Sequence, residues 1–575
     1  MSRPHTPKKK ALKKTPRKYI FVVGGVISGV GKGVTASSIA KIIQSRGFSV
    51  TAIKIDPYVN VDAGTMNPTE HGEVFVLNDG YETDQDLGNY ERFLNITLPS
   101  KNYMTTGRVY QAVIDRERNL GYKGKCVQVV PHIPLEVVSR IKNAAKDANA
   151  DVTVVEVGGT VGEYENILYL EAVRMLKSED PKSVMTVMVS YLPTPPKVGE
   201  MKTKPTQHAS RLLNSAGLTA DIIIARSEMP IDKKRKEKIA TFCNIAPERV
   251  ISAPDADSIY DIPVNFEKDN LGDIMLEMLA LPKRERDMAH WRAYASLVKR
   301  VSEPVHVAVV GKYFSTGDFV LSDAYISVIE SIKHAAYALK KKPEISWLSA
   351  EQFEDTKNLK ELKRYDAILV PGGFGERGIE GKLNVIAYAR EQKIPYFGLC
   401  YGMQLLVTEF ARHKAGLKGA NTAEIDEDAP HVVVDIMDDQ KKKLEEGDYG
   451  GSMRLGAYPA ILRKGTIARK AYKSNEISER HRHRYEVNPE YIAKLEDAGL
   501  VFSATSPDGR LMEIAELPER EHPFFLGSQF HPEFQSRPLH PHPLFVSFMK
   551  AASTRAEGKS TKKTASKKGR PKSRK

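Results

Sequence analysis

Short, wholly apolar runs alternate with helix-like stretches along this chain, and that alternation leaves few folds open. Tyr19–Val23 is followed by a glycine-rich turn and the helix-like Val34–Arg46; then come Ser49–Ile55, Val152–Val157, Val184–Val189, Asp221–Ala225 and Arg249–Ser252. Strands buried on both faces read as continuous apolar runs, and neighbouring parallel strands need a crossover between them. The pattern therefore implies a mostly parallel sheet with helices on both faces. It fades in the charged, helix-like stretch Leu281–Arg300 and restarts at Val305–Val310, Ala367–Val370 and Pro395–Leu399. Two doubly wound α/β domains are expected, over 19–285 and 305–552, joined by a linker at 286–304 and flanked by basic tails at 1–18 and 553–575.

Composition narrows the class. In 575 residues, 41% of them hydrophobic, there is no apolar run of the roughly 18 residues that a membrane helix needs. The basic N-terminus lacks the apolar stretch of a secretory signal. Cys126, Cys243 and Cys400 are too few and too scattered for a disulfide or zinc framework, so a cytoplasmic protein with reduced thiols is expected. The net charge of +14 is misleading, because residues 1–18 carry +8, residues 555–575 carry +9, and the 536 residues between them carry −3. Such tails read either as solvated arms or as loose contacts to nucleic acid or another polyanion.

Gly24-Gly25-Val26-Ile27-Ser28-Gly29-Val30-Gly31-Lys32-Gly33 lies between a strand and a helix. Glycines let several N–H groups face a phosphate, the helix start adds a positive dipole end, and Lys32 adds a mobile charge. The spacing departs from G-x-x-x-x-G-K-[ST]: Val26 replaces the first glycine and Gly33 the magnesium-binding hydroxyl. Magnesium ligands must then come from elsewhere, and the cluster Glu82-Thr83-Asp84-Gln85-Asp86 and the sheet-tip acid Glu156 are the candidates.

In the second half, Gly398-Leu399-Cys400-Tyr401-Gly402 follows a strand-like run. Gly-x-Cys-x-Gly makes a sharp strand-to-helix turn that presents a thiol, as Gly-x-Ser-x-Gly presents a serine. Gln529-Phe530-His531-Pro532-Glu533 supplies a base, His531, and an acid to orient it, Glu533. The turn Pro371-Gly372-Gly373-Phe374-Gly375 offers N–H groups for an oxyanion. Cys126 and Cys243 read as inert.

These stretches, with Lys54–Tyr58, Gly64–Met66, His71–Val76, Glu82–Gly88, Val155–Gly162, Lys202–Gln207 and Arg480–Tyr485, resemble the CTP synthase family in order from about Tyr19 to Ala552. The resemblance implies a P-loop-like (Rossmann-like) amidoligase domain followed by a flavodoxin-like class I glutamine amidotransferase domain. It implies amination of UTP to CTP with ATP, using ammonia from L-glutamine, through a 4-phosphorylated intermediate. It assigns ATP to Gly29, Val30, Gly31, Lys32, Gly33 and Val34, with Asp86, Pro254, Asp255 and Ala256, and Mg²⁺ to Asp86 and Glu156. UTP or CTP falls to Ser28, Glu163, Tyr164, Glu165, Lys202, Thr203, Lys204, Pro205, Thr206, Gln207 and Lys238. Glutamine falls to Gly373, Tyr401, Gly402, Met403, Gln404, Glu424 and Arg484, and catalysis to Cys400, His531 and Glu533. Gly29 and Val30 depart from the family pattern, and Glu163 stands for an expected aspartate. The resemblance further implies activation by GTP, inhibition by CTP, a homotetramer that can stack into filaments, and an ammonia tunnel for which His71 is either a gate or a packing residue. Two rivals stay open: another ATP-dependent amidotransferase acting on a carboxylate, and a silent assembly protein or nucleic-acid binder.

Overall fold

The computed structural model describes residues 16–197, 199–311, 315–316, 319–320, 322–373, 375–436 and 453–568. Phe374, residues 1–15 of the expected N-terminal tail and residues 569–575 of the C-terminal one lie outside them. The chain divides into two compact units, one of residues up to 59 with 104–288, the other of 60–103 with 289 onward.

In the first unit, six parallel strands run in the order Val50–Asp56, Val152–Val157, Lys18–Gly24, Val184–Tyr191, Ile222–Ser227 and Val250–Pro254. Phe21 pairs with Val155 on one side and Thr186 on the other, and all three are fully buried. That two-sided burial is why these strands read as unbroken apolar runs rather than as alternating ones.

The second unit holds a nine-stranded mixed sheet. Lys342–Ser349, Pro304–Gly311, Ala367–Val370, Tyr396–Leu399 and Phe525–Ser528 are parallel; Met512–Glu516, Val501–Thr505, Arg454–Leu462 and Glu476–His483 extend it in antiparallel fashion. Successive side chains alternate between two cores: Tyr396 packs with Met403, Leu406 and Phe410, while Phe397 and Leu399 pack with Phe545 and Phe548. Both units are α/β, as expected.

The compact units and the expected domains divide the chain differently at three places. Residues 60–103 group with the second unit by contact. Their anchor is Glu91, fully buried, which accepts from Leu98 N at 2.8 Å, Arg480 Nη2 at 3.0 Å and Arg537 Nη2 at 2.5 Å. Arg480 also donates to Val76 O at 3.1 Å. Leaving one member of such a buried set unpaired costs about 3–5 kcal/mol. Next, the expected linker is mostly the helix Ala289–Arg300, which packs in the second unit with Trp291 at 5.0 Å from Phe93. Finally, residues 553–568 continue the helix Pro543–Lys568. Ser553 is buried and Lys559 Nζ meets Asp366 at 2.8 Å, so the first basic residues after 553 are tied down rather than free.

Candidate active site

In the first unit the strands end along one edge, and the loop 24–33 leaves the central strand, whose neighbours are Val152–Val157 and Val184–Tyr191. Ligands of open α/β sheets bind at such a divergence. Gly29 and Gly31 have φ of 70° and 79°, and Gly31 sits at the N-cap of the helix Lys32–Ser45. A Cβ on Gly24 would stand 2.8 Å from Gly159 O, so only glycine lets the loop lie against 158–160. Lys32 Nζ donates to Gly159 O at 2.9 Å. The loop, Lys32 and the turn after Glu156 are thus assembled at one place, with Ser28 exposed on the loop.

Glu156, 1% exposed, accepts from Lys54 Nζ at 3.0 Å, and Asp56 lies 3.7 Å from the same ammonium. Lys54 and Asp56, given no role from sequence, thus share the sheet tip with Glu156. Arg226, also missed, donates to Ala253 O and Pro254 O at 3.2 and 3.3 Å and pairs with Asp255 at 2.9 Å. Its Nε lies 4.0 Å from where a Gly31 Cβ would be, which puts a guanidinium beside the phosphate loop. Ala256 is exposed next to it.

The expected pyrimidine residues divide by role. Thr203, Thr206 and Gln207 are buried and hold structure: Thr206 Oγ1 bonds Ser190 Oγ at 2.9 Å, and Gln207 donates to Thr203 Oγ1 at 3.1 Å. Lys202 pairs with Glu200 at 2.7 Å, while Lys204 and, on a separate helix, Lys238 are exposed. Glu163 is folded back, accepting from Thr160 N and Oγ1 at 2.7 and 2.6 Å. Tyr164 is 92% exposed and Glu165 is exposed. Asp86 opens the helix Asp86–Leu94 in the second unit and accepts from Asn89 at 3.3 Å. The two expected metal acids therefore sit in different units, and among the described residues no group of three or more His, Cys, Asp or Glu converges on a metal position.

In the second unit the strand Tyr396–Leu399 turns at Cys400 into the helix Tyr401–His413, with Cys400 at φ 50°, ψ −101°. Its flanks explain the motif. A Cβ on Gly402 would lie 2.3 Å from Val370 O, and one on Gly398 would lie 2.5 Å from Gly402 O. His531 Nδ1 is 2.7 Å from Glu533 Oε1, and the ring stacks on Phe534 at 5.1 Å. Burial alone would lower the pKa of His531, but the Glu533 carboxylate and the Cys400 sulfur outweigh it and raise it to about 10. Sulfur and carboxylate thus both favour the charged imidazolium of His531. A cavity of about 100 Å³ is lined by Cys400, His531, Glu533, Gly372, Gly373 and, from the 60–103 segment, Glu73. Burial raises Glu73 to about 7, against the hydrogen bond to its carboxylate from the Ser327 hydroxyl. His71, exposed, ends the short helix Pro68–His71 nearby in sequence.

Glu424 accepts from Gly375 N at 2.6 Å, and Tyr401 donates to Gly375 O at 3.3 Å, so these two hold the glycine turn. Met403 is fully buried against Gly527 and offers a ligand only its main chain. Gln404 donates to Tyr485 O at 3.1 Å. Arg484 is half-buried. Sequence reasoning missed Glu73, Arg482 and Gln529; Gln529 stood inside the His531 motif but carried no role there.

Comparison with known proteins follows the same division. A family model described as CTP synthase N-terminus matches residues 18–281, and one described as glutamine amidotransferase class-I matches 320–551. A CTP synthase of Methanothermobacter thermautotrophicus is 50% identical over 94% of this chain and 99% of that protein. CTP synthases of Geobacillus kaustophilus and Bacillus licheniformis are 49% and 48% identical over 93% of this chain and 99% and 98% of theirs.

Proposed function

We propose a reaction for this chain on one established premise: it belongs to the CTP synthase family. It is a glutamine-hydrolysing C–N ligase of pyrimidine nucleotide biosynthesis with a class I amidotransferase domain. The finer reading is ATP + UTP + L-glutamine + H2O to ADP + phosphate + CTP + L-glutamate. Its chief support is the joint presence, in one chain, of the Cys400 elbow with the His531–Glu533 pair and a phosphate loop carrying Lys32.

In that reading the Cys400 sulfur attacks the glutamine side-chain carbonyl, and the oxyanion is met by main-chain N–H groups of the Gly372–Gly373 turn. His531 gives its proton to the departing nitrogen, ammonia leaves, and water cleaves the thioester to glutamate. At the other site Lys32 and the loop amides hold the ATP phosphates while the γ-phosphoryl group passes to O4 of UTP. This makes O4 a leaving group; ammonia adds to C4 and phosphate departs. Magnesium, which takes one or two carboxylates plus substrate phosphates, would be held in the first unit by Glu156 at the sheet tip and would offset charge on the transferring group. Ammonia is expected to pass within the protein, since in water it would be protonated to unreactive ammonium.

UTP or CTP is assigned to Ser28, Glu163–Glu165, Lys202–Gln207 and Lys238. Each Glu163 oxygen accepts one bond from Thr160 and keeps a second lone pair with which it could accept from the CTP amino group. GTP activation, filaments and a cytoplasmic location complete the reading; among the described residues no helix is long and apolar enough to cross a membrane. The test is absorbance-monitored conversion of UTP to CTP with ATP, Mg²⁺ and glutamine, with and without GTP. Amination of another acceptor, with no cytidine nucleotide formed, would overturn it.

A homotetramer is supported by apolar side chains left in solvent on two neighbouring helices of the first unit and on the turn at Leu120 that precedes them. Leu120, Val129, Val130, Leu135 and Ile167 are 46–74% exposed, and Val130 and Ile167 line one hollow. Clusters of this kind mark interaction surfaces. Val130→Asp with Ile167→Asp is expected to reduce the mass measured by light scattering to that of a single chain, and an unchanged mass would remove this face from the assembly.

A further inference from the structure

Gln529 is fully buried one strand away from Cys400, and its side chain makes two contacts. Its Nε2 lies 3.7 Å from Cys400 Sγ, and its Oε1 lies 3.5 Å from Gln404 Nε2. The orientation is not arbitrary. Tyr485 O accepts from Gln404 at 3.1 Å and so must face the amide nitrogen of Gln404. That nitrogen then needs an oxygen from Gln529, which leaves the Gln529 N–H to face the sulfur. The main chain fixes the same residue again, with Gln529 N donating to Glu513 O at 2.9 Å.

Among the described residues the sulfur also lies 3.8 Å from Arg482 O. A thiol can donate to that carbonyl. A thiolate cannot, and the carbonyl dipole then opposes it. The charged and titratable groups around the sulfur are His531 and Glu533 on one segment, with Arg482 and Glu73 across the cavity. Ionisation ends the donation to Arg482 O, whereas the Gln529 amide, like a protonated His531, can still donate to the sulfur.

We propose that Gln529 is a catalytic residue of the glutaminase site, one whose amide N–H, locked by Gln404, stabilises the Cys400 thiolate before attack and re-forms that contact each time the thioester is cleaved. The proposal rests on the reading of Cys400 as the nucleophile. Nothing is consumed in this role, since the amide neither gains nor loses a proton.

The test is alkylation of Cys400 by iodoacetamide across pH, followed by mass spectrometry, in the full-length protein carrying Gln529→Met, Gln529→Glu or Gln404→Leu. Met keeps the length and removes the donor; Glu keeps the shape and puts an acceptor against the sulfur; Leu at 404 releases the amide to turn. A donor to a charged acceptor is worth about 10–100-fold, so alkylation at neutral pH should slow by that factor in the 529 variants and less at 404. The profile should move to higher pH, and the turnover number for glutamine should fall with little change in KM. A residue that only packs would lower turnover without moving the alkylation profile. A folded 529 variant whose Cys400 alkylates as the parent does at neutral pH overturns the proposal. Full glutamine turnover by Cys400→Ala would instead sink the nucleophile reading itself, so the two failures are distinguishable.

Discussion

Cys400→Ala is expected to abolish glutamine-dependent CTP formation, by a factor on the order of 10³ or more, while leaving ammonia-dependent formation unchanged. The substitution suits the test because it removes only the sulfur. Cys400 is buried, its Cβ remains, and the backbone conformation at φ 50° is held by neighbours that do not change, among them Ser528 O, which accepts from Cys400 N at 2.6 Å. The two nitrogen sources separate the chemistry of the units: glutamine needs the thiolate, and free ammonia bypasses it. Loss of both activities in a folded variant would contradict the division of labour. The same site fixes a pH dependence. His531 is raised from its ordinary 6.5 to about 10, so its charged form is fully present below pH 6.5 and is lost as pH rises through about 10. Glutamine hydrolysis should therefore hold through the neutral range and decline near pH 10 rather than near 6.5.

Much of this site was legible because its determinants are local. The glycines around Cys400 are required by contacts within a few residues or on the adjacent strand, and His531 and Glu533 stand two apart, so a motif records them. The role of Gln529 was not legible, although the residue was in view, because it depends on which way an amide faces, and that is set by Gln404, 125 residues away. The parallel strands of the first unit were legible from unbroken apolar runs. The membership of 60–103 was not, since it rests on Glu91 meeting Arg480 and Arg537 at separations of 389 and 446 residues. Charge alone also misjudged the C-terminal tail: Phe545, Phe548, Met549 and Ala552 are buried along one helix, and that helix carries the first basic residues on with it. Glu163, assigned to the nucleotide by resemblance, also holds its own loop, accepting from Thr160 three residues before it.

Lys32→Ala should stop CTP formation from glutamine and from ammonia alike, by about 10²–10³-fold or more, while basal glutamine hydrolysis at Cys400 continues. The structure favours a clean loss. Lys32 opens the helix Lys32–Ser45, where alanine is a good helix former, and its donation to Gly159 O is worth about 1 kcal/mol. The fold should therefore survive, and the effect should fall on phosphate binding. Lys32→Arg is the sharper variant. The site around Nζ is close, with Gly159 O at 2.9 Å and the position of a Gly24 Cβ at 3.0 Å, so a planar guanidinium that keeps the charge would not fit the same space. Arginine should thus restore little, showing that the position of the charge matters and not only its sign. Synthesis at the parent rate in Lys32→Ala, from either nitrogen source, would remove this residue from the nucleotide site and leave Arg226, another cation beside the loop, as the group to examine.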